Sequence, residues 1–236
     1  MRYTTIFFDM GGTLALRRPT RAEILDRFLR ERGFAREPET LLRAYVSVND
    51  HHCRRMAAVP MAERTDGFWR TLRRKGHAQA LRYLDLPADV EALLDEFLAV
   101  LRLTPRTNAV YEDVYPTLHR LRTRGVKLAI VSNWNHSLEE RCAELGLCEY
   151  FEVIVGSYAV GAEKPDPGIF HVALARVGAE AAETIHVGDL LPTDVQGARA
   201  VGITPVLIDR DNLHPDGDYV RITRLDEVIN LLEENQ

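Results

Sequence analysis

Apolar positions along the chain change period twice, and each change marks a boundary. Thr5 to Phe8 form a short apolar run that ends at Asp9 and a Gly-Gly pair, the pattern of a buried strand entering a turn. From there to about 106 the apolar residues recur at helical spacing. Thr20 and Glu23 stand at capping-box distance, and Ile24, Leu25, Phe28 and Leu29 then line one face until Gly33. Similar patterns over 38–57, 62–75 and 87–103, the last after Pro87, predict about four helices and no strand in this block. Its aromatics Phe28, Phe68, Trp69 and Phe97 fall at helical intervals and are expected in the block's own core.

From about 107 the period alternates. Helical patterns at 116–124, 136–145, 168–177 and 193–201 end at Gly125, Gly146, Gly178 and Gly202. Between and after them lie the apolar runs LAIVS (128–132), VIVG (153–156), TIHVGD (184–189) and TPVLID (204–209). Strand–helix units of this kind predict an α/β fold, a doubly wound parallel sheet covered on both faces. The simplest assembly puts the first strand in the same sheet. The chain then divides into a core of 1–16 and 107–236 with an inserted all-helical cap of 17–106.

In open α/β sheets, ligands bind beyond the carboxyl ends of the strands. Asp9, Ser132-Asn133, Gly156-Ser157 and Gly188-Asp189 occupy those positions, and Lys164 lies on a loop leading into a helix. Carboxylates, a hydroxyl, an amide and an ammonium thus converge from distant parts of the chain. His186, inside an apolar strand, is expected to be a hydrogen-bonded core histidine. Arg17 and Arg18, at the exit from the first loop, are expected to be hinge-surface charges.

Composition narrows the function classes. The net charge of −5 and pI near 5.9, with arginines interleaved with acids, offer no basic face, so no nucleic-acid partner is expected. No apolar stretch approaches the ~20 residues of a membrane span, and the three-residue apolar run before Asp9 is too short for a signal peptide. The expected location is cytoplasmic. Cys53, Cys142 and Cys148 form neither a disulfide framework nor a metal-ligand spacing. Only three of the 30 basic residues are lysines, which makes Lys164 conspicuous.

The motifs DMGGTL (9–14), VSN (131–133), EKPDP (163–167) and GDLLPTD (188–194), in this order, resemble those of the haloacid dehalogenase superfamily, in particular its phosphatase branch with a helical cap. The resemblance spans essentially the whole chain. It implies a hydrolase in which Asp9 is the nucleophile that takes up a phosphoryl group. It further implies that the Gly11-Gly12 amides, Ser132 and Lys164 hold the phosphoryl oxygens and that Asn133 orients the substrate. Asp9, the Gly11 carbonyl and Asp189 would hold Mg2+, with Asp194 supporting the metal through water or by holding Lys164. The implied partner is a small phosphorylated metabolite, admitted and enclosed by movement of the cap.

One residue departs from the pattern. Phosphatases of this family carry a second aspartate two positions after the nucleophile, where it protonates the leaving oxygen; here that position is Gly11. Four readings follow. In the first the substrate needs no acid, as with an acyl phosphate or phosphoanhydride. In the second a cap residue among Asp50, His51, His52, Glu63 and Asp66 supplies the proton, although each reads as a surface residue. In the third the chemistry is at carbon, as in dehalogenases, or resembles that of phosphonoacetaldehyde hydrolases, whose cap lysine has Lys75 as its sole counterpart, on an ordinary charged face. Or the protein is a phosphate-binding regulatory module with little turnover. The retained GDxxxxD spacing favours phosphorus over carbon–halogen chemistry.

Overall fold

The computed structural model describes residues 3–134 and 137–233, apart from the side chains of Asp50 and Ala57. In chain order the elements are β1 (Thr5–Phe8), β2 (Ala15–Arg18), α1 (Arg21–Arg30), α2 (Pro38–Ala57), α3 (Asp66–Tyr83), α4 (Val90–Leu103) and β3 (Thr107–Val110). There follow α5 (Val114–Thr123), β4 (Lys127–Ser132), α6 (Leu138–Glu144), β5 (Val153–Gly156), α7 (Ser157–Val160) and α8 (Pro167–Val177). β6 (Thr184–Gly188), α9 (Gln196–Ala200), β7 (Thr204–Ile208), β8 (Val220–Ile222) and α10 (Val228–Glu233) complete the chain. Met1–Leu16 with Asn108–Gln236 make one unit, and Arg17–Thr107 make a second.

The first unit is built on a six-stranded sheet of order β5-β4-β1-β6-β7-β8, every pair parallel. Alternate residues of each strand feed opposite layers, as a sheet covered on both faces requires. Ile6, Phe8, Ile130, Val187 and Val206 pack with Leu118 and Leu121 of α5 and Ile229 of α10. On the other face Phe7, Ala129, Val131 and Val155 pack with Ile169, Phe170 and Ala173 of α8 and Ala198 of α9. β1 lies between β4 and β6, the point where the strand order reverses, so its carboxyl end opens at the crevice of the sheet.

The second unit is helical. Ile24, Leu25, Phe28 and Leu29 of α1 are buried against Leu41, Ala44 and Val48 of α2, Ala78 and Leu81 of α3, and Leu94 and Phe97 of α4. The capping box at its start is present: Glu23 N donates to Thr20 Oγ1 at 3.1 Å, and Thr20 N to Glu23 Oε2 at 2.6 Å. Of the four aromatics expected in this core, Phe28 and Phe97 are fully buried with ring centroids 5.4 Å apart. Phe68 and Trp69 are instead half-buried and meet edge to face.

Several boundaries differ from the sequence expectation. Thr65 caps α3, which therefore begins at Asp66 and not 62, and the helix continues through Gly76 to Tyr83. A Cβ at Gly76 would come within 2.9 Å of Val48 Cγ1, so that glycine lets α2 and α3 approach and does not end the helix. β2 and β3, four residues each, pair with one another in a separate two-stranded sheet that the sequence did not predict. α4 starts at Val90, capped by Asp89, and not after Pro87. The 193–201 helix is replaced by a π-turn over Leu191–Val195 followed by α9. The expected start of α6 at 136 lies outside the described residues.

Candidate active site

β1 delivers Asp9 into the crevice with its backbone still tied to the sheet, Asp9 N donating to Val187 O at 2.9 Å. The residue is 7% exposed. Ser132 Oγ, at the end of β4, donates to Asp9 Oδ1 at 2.9 Å, and Lys164 Nζ donates to the same oxygen at 2.6 Å. Two donors on Oδ1 fix the carboxylate plane and leave Oδ2 without a protein hydrogen bond among the described residues.

Lys164 is fully enclosed and bridges two carboxylates, its second bond running to Asp194 Oδ1 at 2.5 Å. Burial alone would lower its pKa, but Asp194 and Asp9 hold it above the ordinary lysine value, so it is an ammonium. Asn133 grips the lysine's backbone at both ends: Nδ2 donates to Lys164 O at 2.8 Å, and Lys164 N donates to Oδ1 at 2.7 Å. Through these two bonds Asn133 positions Lys164.

Asp194 is equally occupied. His186 Nε2 lies 2.9 Å from Oδ1, and Leu190 N donates to Oδ2 at 3.0 Å. Burial would raise its pKa, yet Lys164 and His186 keep it below the carboxylate range. The pull of Leu190 N and Lys164 on this side chain accounts for the π-turn in place of a regular helix start. Asp194 thus holds Lys164, and its oxygens are turned toward donors. His186 is the buried histidine the sequence indicated, but its partner Asp194 makes it part of the site's support.

The Gly11-Gly12 turn differs in detail from the expectation. Gly12 N donates to Ala15 O at 2.9 Å, so this amide is not available to an anion. The Gly11 amide has no backbone acceptor among the described residues. Gly12 has φ +81°, and a Cβ there would collide with the Asp189 carboxylate. Its absence of side chain is what admits Asp189 beside Asp9. The Asp189 carboxylate has no hydrogen-bond partner in another described residue, its own backbone N–H being the donor that acts on it. Its pKa stands well above the ordinary value, through burial and then the charge of Asp9. Burial likewise raises Asp9, against the pull of Lys164.

Asp9 and Asp189, close enough for the charge of one to act on the other, would with a main-chain carbonyl such as that of Gly11 give an oxygen-only set suited to a hard divalent cation. No group of three His, Cys, Asp or Glu side chains among the described residues is placed to hold a metal, and Asp194 is bonded to Lys164. The fit therefore rests on Asp9, Asp189 and a main-chain oxygen.

A buttress that the sequence did not reveal stands behind this loop. Arg210, just after β7, forms a two-pronged pair with Asp113 (2.9 and 3.1 Å) and donates from Nη2 to Thr13 O at 2.8 Å. Its guanidinium lies 3.7 Å from the Tyr111 ring centre, and Leu225 N donates to Asp113 Oδ2 at 2.7 Å. Burial would raise the Asp113 pKa, but Arg210 and the Leu225 amide hold it below its ordinary value.

Each of the other candidates has surroundings of its own. Ser157 is buried and exchanges hydrogen bonds with the backbone of Trp134. In the helical unit Glu63, Asp66 and Lys75 are exposed. His51 and His52 are half-buried and not surface residues, His52 Nε2 lying 3.2 Å from Leu72 O. The Asp50 side chain lies outside the described residues. Arg17 and Arg18 are exposed, Arg18 paired with Glu23. Cys142 is buried, its thiol pushed up to about 12 by burial. No helix among the described residues is long and apolar enough to cross a membrane.

Residues 3–202 match the family described as haloacid dehalogenase-like hydrolase. The haloacid dehalogenase-like hydrolase domain-containing protein 3 of Mus musculus is 46% identical over 105 residues, 44% of this chain and 42% of that protein. A glyceraldehyde 3-phosphate phosphatase of Methanopyrus kandleri is 41% identical over 101 residues, 42% of this chain and 43% of its own length. The chain thus spans less than half the length of these curated relatives. Among solved structures, an HAD phosphatase from Thermococcus onnurineus aligns over 97% of both chains with a TM-score of 0.58 and 26% identity.

Proposed function

The chain belongs to the haloacid dehalogenase-like hydrolases, and on that premise we propose a magnesium-dependent phosphatase that acts on a small phosphorylated metabolite through an aspartyl phosphate at Asp9. The observation that carries the reading is the asymmetric Asp9 carboxylate: Ser132 and Lys164 hold Oδ1, and Oδ2 is left as the attacking atom. Attack by Oδ2 on phosphorus forms the Asp9–phosphoryl bond as the bond to the leaving oxygen breaks, and water then hydrolyses the acyl phosphate and restores the carboxylate. Lys164 and Ser132 stabilise charge on the phosphoryl oxygens, while Asp194, His186 and Asn133 keep Lys164 in place. Magnesium held by Asp9, the Gly11 carbonyl and Asp189 would offset the repulsion between carboxylate and phosphate.

Gly11 carries no titratable group, so the leaving oxygen receives no proton from that position. The substrate class that fits is one whose leaving group departs as a weak base, such as an acyl phosphate; a carboxylate leaving group has a pKa of roughly 4, against about 10 for a phenol. The test is hydrolysis of acetyl phosphate, para-nitrophenyl phosphate and an alkyl phosphate, with and without magnesium, by the wild type and Asp9→Asn. The expected pattern is magnesium-dependent cleavage ordered by leaving-group acidity and abolished in Asp9→Asn. Activity retained in that variant would remove the nucleophile.

A further inference from the structure

Several arginines of the helical unit are matched with acids, as in Arg30–Asp26, Arg32–Glu96 and Arg74–Glu91. Four others lie within reach of one another's charge. Arg17, Arg21, Arg73 and Arg106 form no ion pair with any described residue. Arg17 and Arg106 are joined through backbone: Arg106 Nε donates to Pro19 O at 2.8 Å and its Nη2 to Arg17 O at 3.4 Å, while Arg17 Nη2 donates to Arg106 O at 3.3 Å. These contacts bring two guanidinium groups to the chain just before α1, whose first residue is Arg21.

Arg21 is half-buried and makes no hydrogen bond among the described residues, yet it stands where the helix dipole already concentrates positive charge. The charged groups acting on it include Arg17 and Arg73, and burial followed by those cations lowers its pKa. Tyr45 Oη, 3.3 Å from His77 Nδ1, is the neutral side of the same cluster. Burial comes first in pushing His77 down to about 4, and Arg21, Arg106 and Arg73 add to it. Glu23, the carboxylate that acts on Arg106, is already held by Arg18 and the Thr20 amide.

Four cations with no paired carboxylate among the described residues, one of them half-buried with no hydrogen bond there, raise the energy of the folded unit unless an anion completes them. We propose that the helical unit carries an oxyanion-binding site at Arg21, Arg73, Arg106 and Arg17, with the Tyr45 hydroxyl as a further donor, which takes the phosphate or carboxylate group of a small polyanion. Guanidinium groups present paired donors that match the geometry of such oxygens, and that preference distinguishes this site from one that merely attracts chloride. The site lies wholly within the helical unit and is independent of the Asp9 reading.

The test titrates the full chain with inorganic phosphate by calorimetry in magnesium-free chloride buffer, for the wild type, Arg21→Met, Arg21→Lys and Arg73→Met. Phosphate affinity should fall about ten- to a hundred-fold in Arg21→Met, the scale of one lost charge-assisted bond, and less in Arg21→Lys. Arg73→Met, at an exposed position that should not perturb folding, should also weaken binding. In buffer free of oxyanions Arg21→Met should melt above the wild type, because an unmatched cation has been removed, and phosphate should close or reverse that gap. The same losses should appear in an Asp9→Asn background, which separates this site from the one at Asp9. Unchanged phosphate affinity in both Arg21→Met and Arg73→Met, or an Arg21→Met protein that melts below the wild type without oxyanion, would overturn the proposal.

Discussion

Gly11→Asp restores a carboxyl group to the position where leaving-group protonation is missing, and the structure determines what that costs sterically. A Cβ at Gly11 would have as its nearest neighbour Trp134 Cζ3 at 3.6 Å, an ordinary van der Waals contact. Gly11 is not among the residues with positive φ, so the backbone accepts a side chain without strain. The substitution therefore tests chemistry without a packing penalty. A positioned general acid contributes roughly 10²–10⁴-fold, or about 3–5 kcal/mol at 1.36 kcal/mol per decade. That gain should appear in kcat toward an alkyl phosphate, whose leaving group needs the proton. It should be nearly absent toward acetyl phosphate, whose leaving group does not. The assay is steady-state kinetics on both substrates at saturating magnesium, with thermal melting to confirm an intact fold. A folded variant with no gain on the alkyl phosphate, or with equal gain on both substrates, refutes the argument that Gly11 limits leaving-group chemistry.

Three further outcomes follow from the geometry. The folded-state pKa of His77, about 4, lies below the unfolded value near 6.5, so the unfolded chain takes up the proton first. Stability is intact above pH 6.5 and is lost as pH falls toward 4, by about 3 kcal/mol; urea unfolding at pH 7.5 and pH 4 should show that extra loss in the wild type and not in His77→Phe. Gly12→Ala should cost ~1–2 kcal/mol for its positive φ and also displace Asp189, weakening magnesium support. Gly125→Ala, with φ +73° and open space around it, should show the stability loss alone. Arg210→Met strands the nearly buried Asp113 carboxylate and should destabilise by about 3 kcal/mol, and releasing Thr13 O should lower kcat. A double-mutant cycle with Asp113→Asn that finds the two effects additive would remove the coupling.

The sheet and the residues at its strand ends were legible because the burial of both faces leaves continuous apolar runs that stop at Asp9, Ser132 and Gly188. β2 and β3 were not, because each is four residues long and β2 ends in two exposed arginines, with no alternation to read. Nor were the partners of each polar group. Asn133 stands beside Ser132 in sequence, yet its amide answers to the backbone of Lys164, 31 positions on. Arg210 joins Asp113 and Thr13 across 97 and 197 positions, and nothing local to any of the three marks the others. Gly12 has the glycine that a phosphate loop would use, but the carbonyl of Ala15 claims its N–H.

The placement of β1 has a consequence for how the chain acquires function during synthesis. β1, which leads into Asp9, leaves the ribosome well before its two neighbours, β4 and β6, which begin at Lys127 and Thr184. Until both have emerged, β1 is an apolar tetrapeptide with unpaired edges, the kind of segment that chaperones shield. The helical unit, contiguous from Arg17 to Thr107 and held by contacts between successive helices, has what it needs to fold long before that moment. Shape in the first half of the molecule thus precedes chemistry. A truncation released before Thr184 would contain Asp9, Ser132 and Lys164 and still have no pocket to put them in.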